Sequence, residues 1–156
     1  ILFLGDSFHR AHLAESLPQQ YRDRISACCD GREVIWLVGN HDPALPDFLP
    51  GEVREEYRAA GLTFRHIALI NEQGGEVSGH YHPKARLKTK ARGITGKCFI
   101  HDGRRLIMPA FGAYTGGLSV KHRQIARYYG GRAEILFCHA CQIYRYPYSQ
   151  VMLSPR

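Results

Sequence analysis

The sequence predicts a single α/β domain that spans residues 1–156, and three observations lead to that prediction. Apolar, strand-like stretches at 1–4 and 34–38 are each followed by a polar run that begins with Gly. Helix-like segments fall early in the chain, whereas strand-like segments punctuated by Gly dominate from Leu62 onward. A chain of this length that is 44% apolar is long enough to bury a core of its own.

The early elements are a strand, a helix, a second strand and a second helix, predicted at 1–4, 11–28, 34–38 and 52–60. The later strands alternate polar with apolar residues or run apolar between glycines, and are predicted at 62–65, 76–78, 94–100, 104–109, 133–138 and 142–146. A short helix at 120–129 precedes the last two strands. No repeat, linker or low-complexity segment interrupts this order.

Three short polar runs are the most informative features of the chain. They are Gly-Asp-Ser-Phe-His at 5–9, Gly-Asn-His-Asp at 39–42 and Gly-His-Tyr-His at 79–82. Each follows a strand-like stretch, and α/β sheets place ligands in the loops at the carboxyl ends of their strands. Together the runs bring carboxylate, amide and imidazole groups, which are ligands suited to borderline divalent metals.

These runs, with the lone His66 between the second and the third, resemble the metal-binding runs of the calcineurin-like metallophosphoesterases in their order. The stretch Pro-Ala-Phe-Gly-Ala-Tyr-Thr-Gly-Gly at 109–117 is similar to one branch of that family, the bacterial ligase-associated DNA damage response endonucleases. The resemblance covers most of the chain. It implies an α/β fold in which a two-sheet β sandwich is flanked by helices. It also implies a cytoplasmic bacterial protein that cleaves DNA in repair, beside a DNA ligase, a helicase and an exonuclease.

One family run has no counterpart in the sequence. The family opens with Asp-x-His on a strand before the Gly-Asp run, and nothing precedes Ile1. We therefore expect the sequence to be an N-terminally truncated fragment that lacks the first β-α unit. As given, it is expected to bind one metal ion better than two.

The resemblance implies two divalent metal ions, manganese in the first place, although iron and zinc accept the same ligands. Asp6 corresponds to the carboxylate that bridges both ions. Asn40, His66 and His80 correspond to ligands of the second ion, and His82 to a ligand of the first. Because His80 and His82 are two residues apart, an extended backbone would point both side chains to the same side.

The same resemblance implies how the reaction proceeds. A water activated by the metals would attack phosphorus in line with the leaving oxygen, and the metals would stabilise charge on the phosphoryl oxygens. His41 lies near the leaving group, where it donates a proton or stabilises the alkoxide, and Asp42 orients it. Arg10 stands where some metallophosphoesterases bind phosphate, and His9 has a supporting role.

The net charge of +7 favours a polyanionic partner, and the placement of the basic residues indicates where that partner would bind. Lys84, Arg86 and Lys88 alternate along the chain and continue the parity of His80 and His82, as do Lys90 and Arg92. On an extended backbone they form one basic face that would bind DNA phosphates. The alternative is an edge strand whose lysines discourage aggregation. No apolar run approaches the length of a membrane span, so no membrane partner is expected.

Other functions stay open at this point. The same metal chemistry serves a phosphodiesterase or phosphatase that acts on small nucleotides, and a chain without the first-metal ligands can be a non-catalytic nucleic-acid-binding module. Cys138 and Cys141 form a C-x-x-C pair, a zinc or redox signature, although the five cysteines lack disulfide-framework spacing and favour a reducing compartment. Tyr114 and Thr115 either line the substrate side, where the ring stacks on a base, or serve packing.

Overall fold

The computed structural model of this chain describes residues 1–8, 14–41, 45–88, 92–113 and 115–152. Its contacts divide the chain into two compact units, Ile1–His66 (unit 1) and Ile67–Arg156 (unit 2). Strands form a three-stranded parallel sheet in unit 1 and a mixed sheet in unit 2, and the described helices are few. The predicted α/β class with two sheets is thereby confirmed. Within the described part of the chain, no helix is both long and apolar enough to cross a membrane.

The sheet of unit 1 contains three parallel strands in chain order, β1 (Leu2–Phe3), β2 (Ile35–Leu37) and β3 (Glu52–Arg54). The Phe3 and Trp36 rings stack with their centroids 3.8 Å apart. Trp36 forms the buried core of unit 1 together with Cys29 and Val34, and Ile25 packs against this core. Because β1 and β2 are parallel, their carboxyl ends, and the polar runs that follow them, lie at the same edge of the sheet.

The predicted helix at 52–60 is wrong. Residues 52–54 form β3, and β4 (Glu56–Ala59) forms an antiparallel hairpin with β5 (Leu62–Arg65). Pairing with β2 outweighs the local helix propensity of a Glu- and Arg-rich segment. The charge spacing agrees with strands, because Glu52 pairs with Arg54 and Glu56 with Arg58, and residues two apart share a face in a strand but not in a helix.

The two other predicted helices are formed in part. Of the predicted helix 11–28, residues 14–15 are helical, the helix is interrupted at 16–18, and α1 (Gln19–Cys29) begins after Pro18, while residues 11–13 lie outside the described residues. Proline disfavours helical dihedral angles at the residue before it, which explains why Leu17 is not helical. Of the predicted helix 120–129, the segment Arg123–Ala126 (α2) is helical, and its Ile125 is buried in the core of unit 2.

Unit 2 has a mixed sheet with strand order β11-β10-β8-β9-β6, in which β6 and β9 are parallel. Its strands are β6 (Gly75–Ser78), β7 (Lys84–Lys88), β8 (Gly93–His101), β9 (Arg105–Ile107), β10 (Glu134–His139) and β11 (Gln142–Pro147). The first half of β8 pairs with β7 and the second half with β10. A Cβ on Gly96 would lie 2.8 Å from the Phe137 ring, so this ring occupies the space above the glycine.

The core of unit 2 is built from β-branched and aromatic side chains of these strands. Ile100, Ile107 and Ile135 are fully buried, and Phe137 is nearly so. Burial of each such side chain stabilises the fold by about 1.5–3 kcal/mol. The predicted strands at 62–65, 76–78, 94–100, 104–109, 133–138 and 142–146 are confirmed, with ends that shift by one or two residues.

Candidate functional site

Asp6 lies in the loop after β1 and has a strained backbone. Its φ of 51° is in the left-handed region, which costs a non-glycine residue about 1–2 kcal/mol. Gly5 before it has φ 83°, and a Cβ there would lie 2.6 Å from Nδ1 of His66. Glycine is therefore required at position 5, and the strained Asp6 carries the kind of distortion that proteins concentrate at functional sites.

The His66 ring lies between the carbonyl of Leu4 on one side and the side chains of Asn40 and Asp6 on the other. Its Nδ1 lies 2.7 Å from the carbonyl oxygen of Leu4. Because a carbonyl can only accept, Nδ1 donates this hydrogen bond. The Nε2 of the ring lies 3.0 Å from Oδ1 of Asn40 and 3.1 Å from Oδ2 of Asp6. The structure therefore brings together three of the predicted ligands in unit 1.

The spacing of these atoms suits a divalent cation. Two ligand atoms at right angles, each about 2.1 Å from a cation, are about 3.0 Å apart. The two separations from Nε2 of His66 are close to that value. A carboxylate oxygen, an amide oxygen and an imidazole nitrogen are also donors that borderline divalent metals accept. The residues of unit 1 fit the predicted metal.

His41 contributes its backbone to this arrangement. Its N–H donates a hydrogen bond of 2.9 Å to Oδ1 of Asp6, which holds the carboxylate in place. The His41 residue is exposed, as is its neighbour Asn40. Three further predicted site residues, His9, Arg10 and Asp42, lie outside the described residues.

His80 and His82 follow β6 in unit 2, and their backbone is not extended as expected. Their φ values are 63° and 47°, both in the left-handed region. The chain turns sharply because the N–H of Tyr81 donates to the carbonyl of Gly79, at 2.7 Å, while the Tyr81 side chain enters the core. The argument that placed both imidazoles on one side of an extended strand is therefore wrong. Both histidines are half-buried.

Tyr81 is a residue that sequence reasoning missed. Its hydroxyl donates to the Tyr128 hydroxyl at 2.7 Å, because the Tyr128 hydroxyl itself donates to the carbonyl of Ala68 at 3.0 Å. Burial raises the pKa of Tyr81 to about 12, and the bond to Tyr128 adds to the shift. The Tyr81 ring also meets the His80 ring edge-on at 4.8 Å. Tyr81 thus fixes the turn that carries both histidines; its position inside the polar run was the available signal.

Strand β7 presents the predicted basic face. Ala85 and Leu87 are buried, so Lys84, Arg86 and Lys88 occupy the opposite face. The basic face begins at Lys84. It is not an extension of a face that carries His80 and His82, because the backbone of both histidines is left-handed rather than extended. Lys90 and Tyr114 lie outside the described residues, and phosphate binding by this face stays a prediction.

Lys84 and Lys97 face each other across the β7–β8 pair, and both reach the loop at 109–117. The Nζ of Lys84 lies 3.5 Å from the carbonyl oxygen of Thr115. The Nζ of Lys97 donates to the carbonyls of Ala110 at 2.8 Å and Gly112 at 2.5 Å. These contacts attach the loop to the sheet of unit 2.

The cysteines are free thiols in the structure. Burial raises the pKa of Cys138 above its ordinary value, although Lys97 opposes the shift. A raised pKa keeps the sulfur protonated at neutral pH, whereas reactive and metal-binding cysteines are thiolates. This property disfavours a redox function for Cys138.

The comparisons with known proteins concern the fold. No protein-family model matches the sequence, and no curated protein matches it. Among solved structures, the crystal structure of the nuclease MPE from Pseudomonas putida matches with a TM-score of 0.71 and 21% sequence identity, over 93% of this chain and 68% of that one. At this identity the likeness shows that the two chains share a fold.

Proposed function

We propose that this protein is a metal-dependent phosphodiesterase of the calcineurin-like metallophosphoesterase type that cleaves DNA. The observation that carries the proposal is the convergence of Asp6, Asn40 and His66 on one point in unit 1, with separations of 3.0 and 3.1 Å from Nε2 of His66. The fold shared with the nuclease from Pseudomonas putida supports hydrolysis of nucleic acid.

The proposed ligands of the divalent metal ions, manganese in the first place, are Asp6, Asn40, His66, His80 and His82. When bound, such ions lower the pKa of a water and neutralise charge on phosphoryl oxygens. The chain itself holds the ligand atoms in place before any ion arrives. The Leu4 carbonyl accepts a hydrogen bond from Nδ1 of His66, and the His41 amide fixes one oxygen of Asp6.

We assign the exposed His41 imidazole to the leaving group. A DNA phosphodiester expels a sugar alkoxide, which is a strong base and leaves readily only if it is protonated or stabilised. The backbone of His41 donates a hydrogen bond to Asp6, so residue 41 lies next to the proposed ligand cluster. Asp42 is proposed to orient this ring.

Arg10 is proposed as a phosphate ligand, and the basic face of β7 as the surface that meets the DNA backbone. If Lys84, Arg86 and Lys88 each neutralise one phosphate, the logarithm of the affinity for single strands falls with the logarithm of the salt concentration with a slope of about −2. From the resemblance of the sequence, we further propose a place in bacterial DNA repair beside a ligase, a helicase and an exonuclease.

The experiment that tests the function compares two substrates. Nicking of supercoiled plasmid and hydrolysis of bis(p-nitrophenyl) phosphate by the full-length protein are measured with added Mn²⁺ and after chelation. The variants are Asn40→Ala, which removes a ligand, and His41→Ala, which removes the proposed acid. His139→Ala is the matched control, because His139 is an exposed histidine at the end of β10.

We expect the wild type to hydrolyse both substrates and the chelator to stop both reactions. Asn40→Ala should slow both, whereas His41→Ala should slow plasmid nicking far more, because p-nitrophenolate leaves without a proton. If the small ester is hydrolysed while the plasmid stays intact, the proposed metal chemistry stands and DNA is not the substrate. Absence of both activities would overturn the enzymatic proposal in favour of a binding module.

A further inference from the structure

Phe111 is the most exposed apolar side chain among the described residues. Its exposed fraction is 106%, and the next large apolar residue, Ile143, reaches 63%. Its described neighbours Ala110, Gly112 and Ala113 are too small to cover the ring. An aromatic ring that stands alone in water at this degree forgoes all the stabilisation that burial provides, so its position requires a reason.

The backbone at Phe111 is held by the protein. The ammonium group of Lys97 lies within hydrogen-bonding distance of three successive carbonyls, those of Ala110, Phe111 and Gly112, at 2.8, 3.4 and 2.5 Å. A Cβ on Gly112 would lie 2.9 Å from Oγ1 of Thr115, so the turn after Phe111 is tight. Because the backbone is fixed in this way, little conformational entropy of the loop is lost when a ligand meets the ring.

The loop that carries Phe111 is attached at both ends to the turn that carries His80 and His82. At its beginning, the N–H of Met108 donates to the carbonyl of Ser78 at 2.8 Å. At its end, the N–H of Leu118 donates to the carbonyl of Tyr81 at 3.2 Å, and Gly117 packs against the carbonyl of His82. All of these contacts lie within unit 2. The ring therefore stands on a short loop beside two of the proposed metal ligands.

The surface next to the loop is cationic. Lys84, whose Nζ approaches the carbonyl of Thr115, is the first residue of the basic face of β7. A ligand that binds a row of cations and an isolated aromatic ring must combine anionic groups with flat π surfaces, and a nucleic acid strand with unpaired bases has this composition. A paired base hides its faces in the helical stack, so the ring distinguishes unpaired from paired DNA.

We infer that Phe111 stacks on an unpaired nucleobase of the DNA, next to the phosphodiester that is cleaved, and that this contact gives the protein a preference for single-stranded DNA. The inference rests on the proposed function. It assigns Phe111 to substrate binding and gives it no part in the chemical step.

Binding without turnover tests this inference. A fluorescently labelled single-stranded oligonucleotide and the same sequence as a full duplex are titrated with protein in the presence of chelator, and anisotropy is read. The variants are Phe111→Ala, Phe111→Leu and Phe111→Tyr, with Ile143→Ala as the control at another exposed apolar site. Each titration is repeated over a range of salt concentrations.

We expect Phe111→Ala and Phe111→Leu to weaken single-strand binding by about 5- to 150-fold, the effect of one lost base stack, and Phe111→Tyr to retain it. The duplex should be affected less. The salt slope should stay unchanged in the Phe111 variants, whereas Lys88→Ala should reduce it by about one phosphate contact. Wild-type affinity of Phe111→Ala, or an equal loss on both DNAs, would overturn the inference.

The hydrolysis assays and the binding titrations test the proposed function and the role of Phe111 independently of each other. If the wild-type protein hydrolyses neither plasmid nor the small ester, the enzymatic proposal falls, yet the titrations still decide the role of Phe111. If the protein hydrolyses DNA while Phe111→Ala binds single strands like the wild type, the inference falls and the enzymatic proposal stands.

Discussion

Replacement of Gly117 by Ala is expected to displace His82 and impair hydrolysis. A Cβ at position 117 would lie 2.1 Å from the carbonyl oxygen of His82, whereas real contacts of this kind are not shorter than 3.0 Å. The His82 carbonyl must therefore move by at least 3.0 − 2.1, or about 0.9 Å. A displacement of about 1 Å at a reacting centre can cost about 100-fold in rate. We expect kcat/KM to fall by this factor if His82 is a metal ligand.

The neighbouring Gly116 provides a matched control. A Cβ at Gly116 has nothing within 4 Å, and its φ lies outside the left-handed region, so alanine fits there without strain. Gly116→Ala is expected to stay within about twofold of the wild type, as surface substitutions do. The two variants thus add the same methyl group one residue apart.

The assay is steady-state hydrolysis of bis(p-nitrophenyl) phosphate over a range of Mn²⁺ concentrations. Gly117→Ala should show a lower kcat/KM and should need more Mn²⁺ for half-maximal activity. Thermal denaturation of both variants is measured to separate a loss of activity from unfolding. If Gly117→Ala matches Gly116→Ala in both kinetic quantities, His82 is not the ligand that we propose.

Three further predictions concern unit 2, and urea denaturation checks each of them. Arg105→Met should lower the free energy of unfolding by about 3–5 kcal/mol, because it leaves the buried Glu76 carboxylate, now 2.6 Å from the guanidinium, without its counter-charge. A decrease in the free energy of unfolding under about 1 kcal/mol would contradict this. Tyr81 keeps its proton in the folded state up to about pH 12, whereas the unfolded chain loses it near pH 10, so stability should fall as the pH rises through this window, and less steeply in Tyr81→Phe; equal slopes would refute the assignment. The buried hydroxyl of Ser78 has no hydrogen-bond partner among the described residues, so Ser78→Ala should raise the free energy of unfolding by up to about 1 kcal/mol, and a clear decrease would count against it.

The strands of unit 2 were predictable because alternation of buried and exposed residues is a local property of an extended chain. Along β7, Ala85 and Leu87 are buried and the basic residues alternate with them, as the sequence indicates. The segment 52–60 was not predictable in this way. Its strands depend on partners far along the chain, such as the pairing of Trp36 with Val53, and local helix propensity does not contain that information.

The sequence by itself determined the chemical character of the candidate site. The residue types in the three polar runs and His66 predict oxygen and imidazole ligands, and the parallel strands β1 and β2 bring the first two runs to one sheet edge. Tertiary structure alone decided the geometry: the left-handed turn at His80 and His82, the anchoring of Tyr81 by Tyr128, and the exposure of Phe111. These features follow from long-range hydrogen bonds and close packing, which depend on residues distant in the sequence and therefore leave no periodic signal in it.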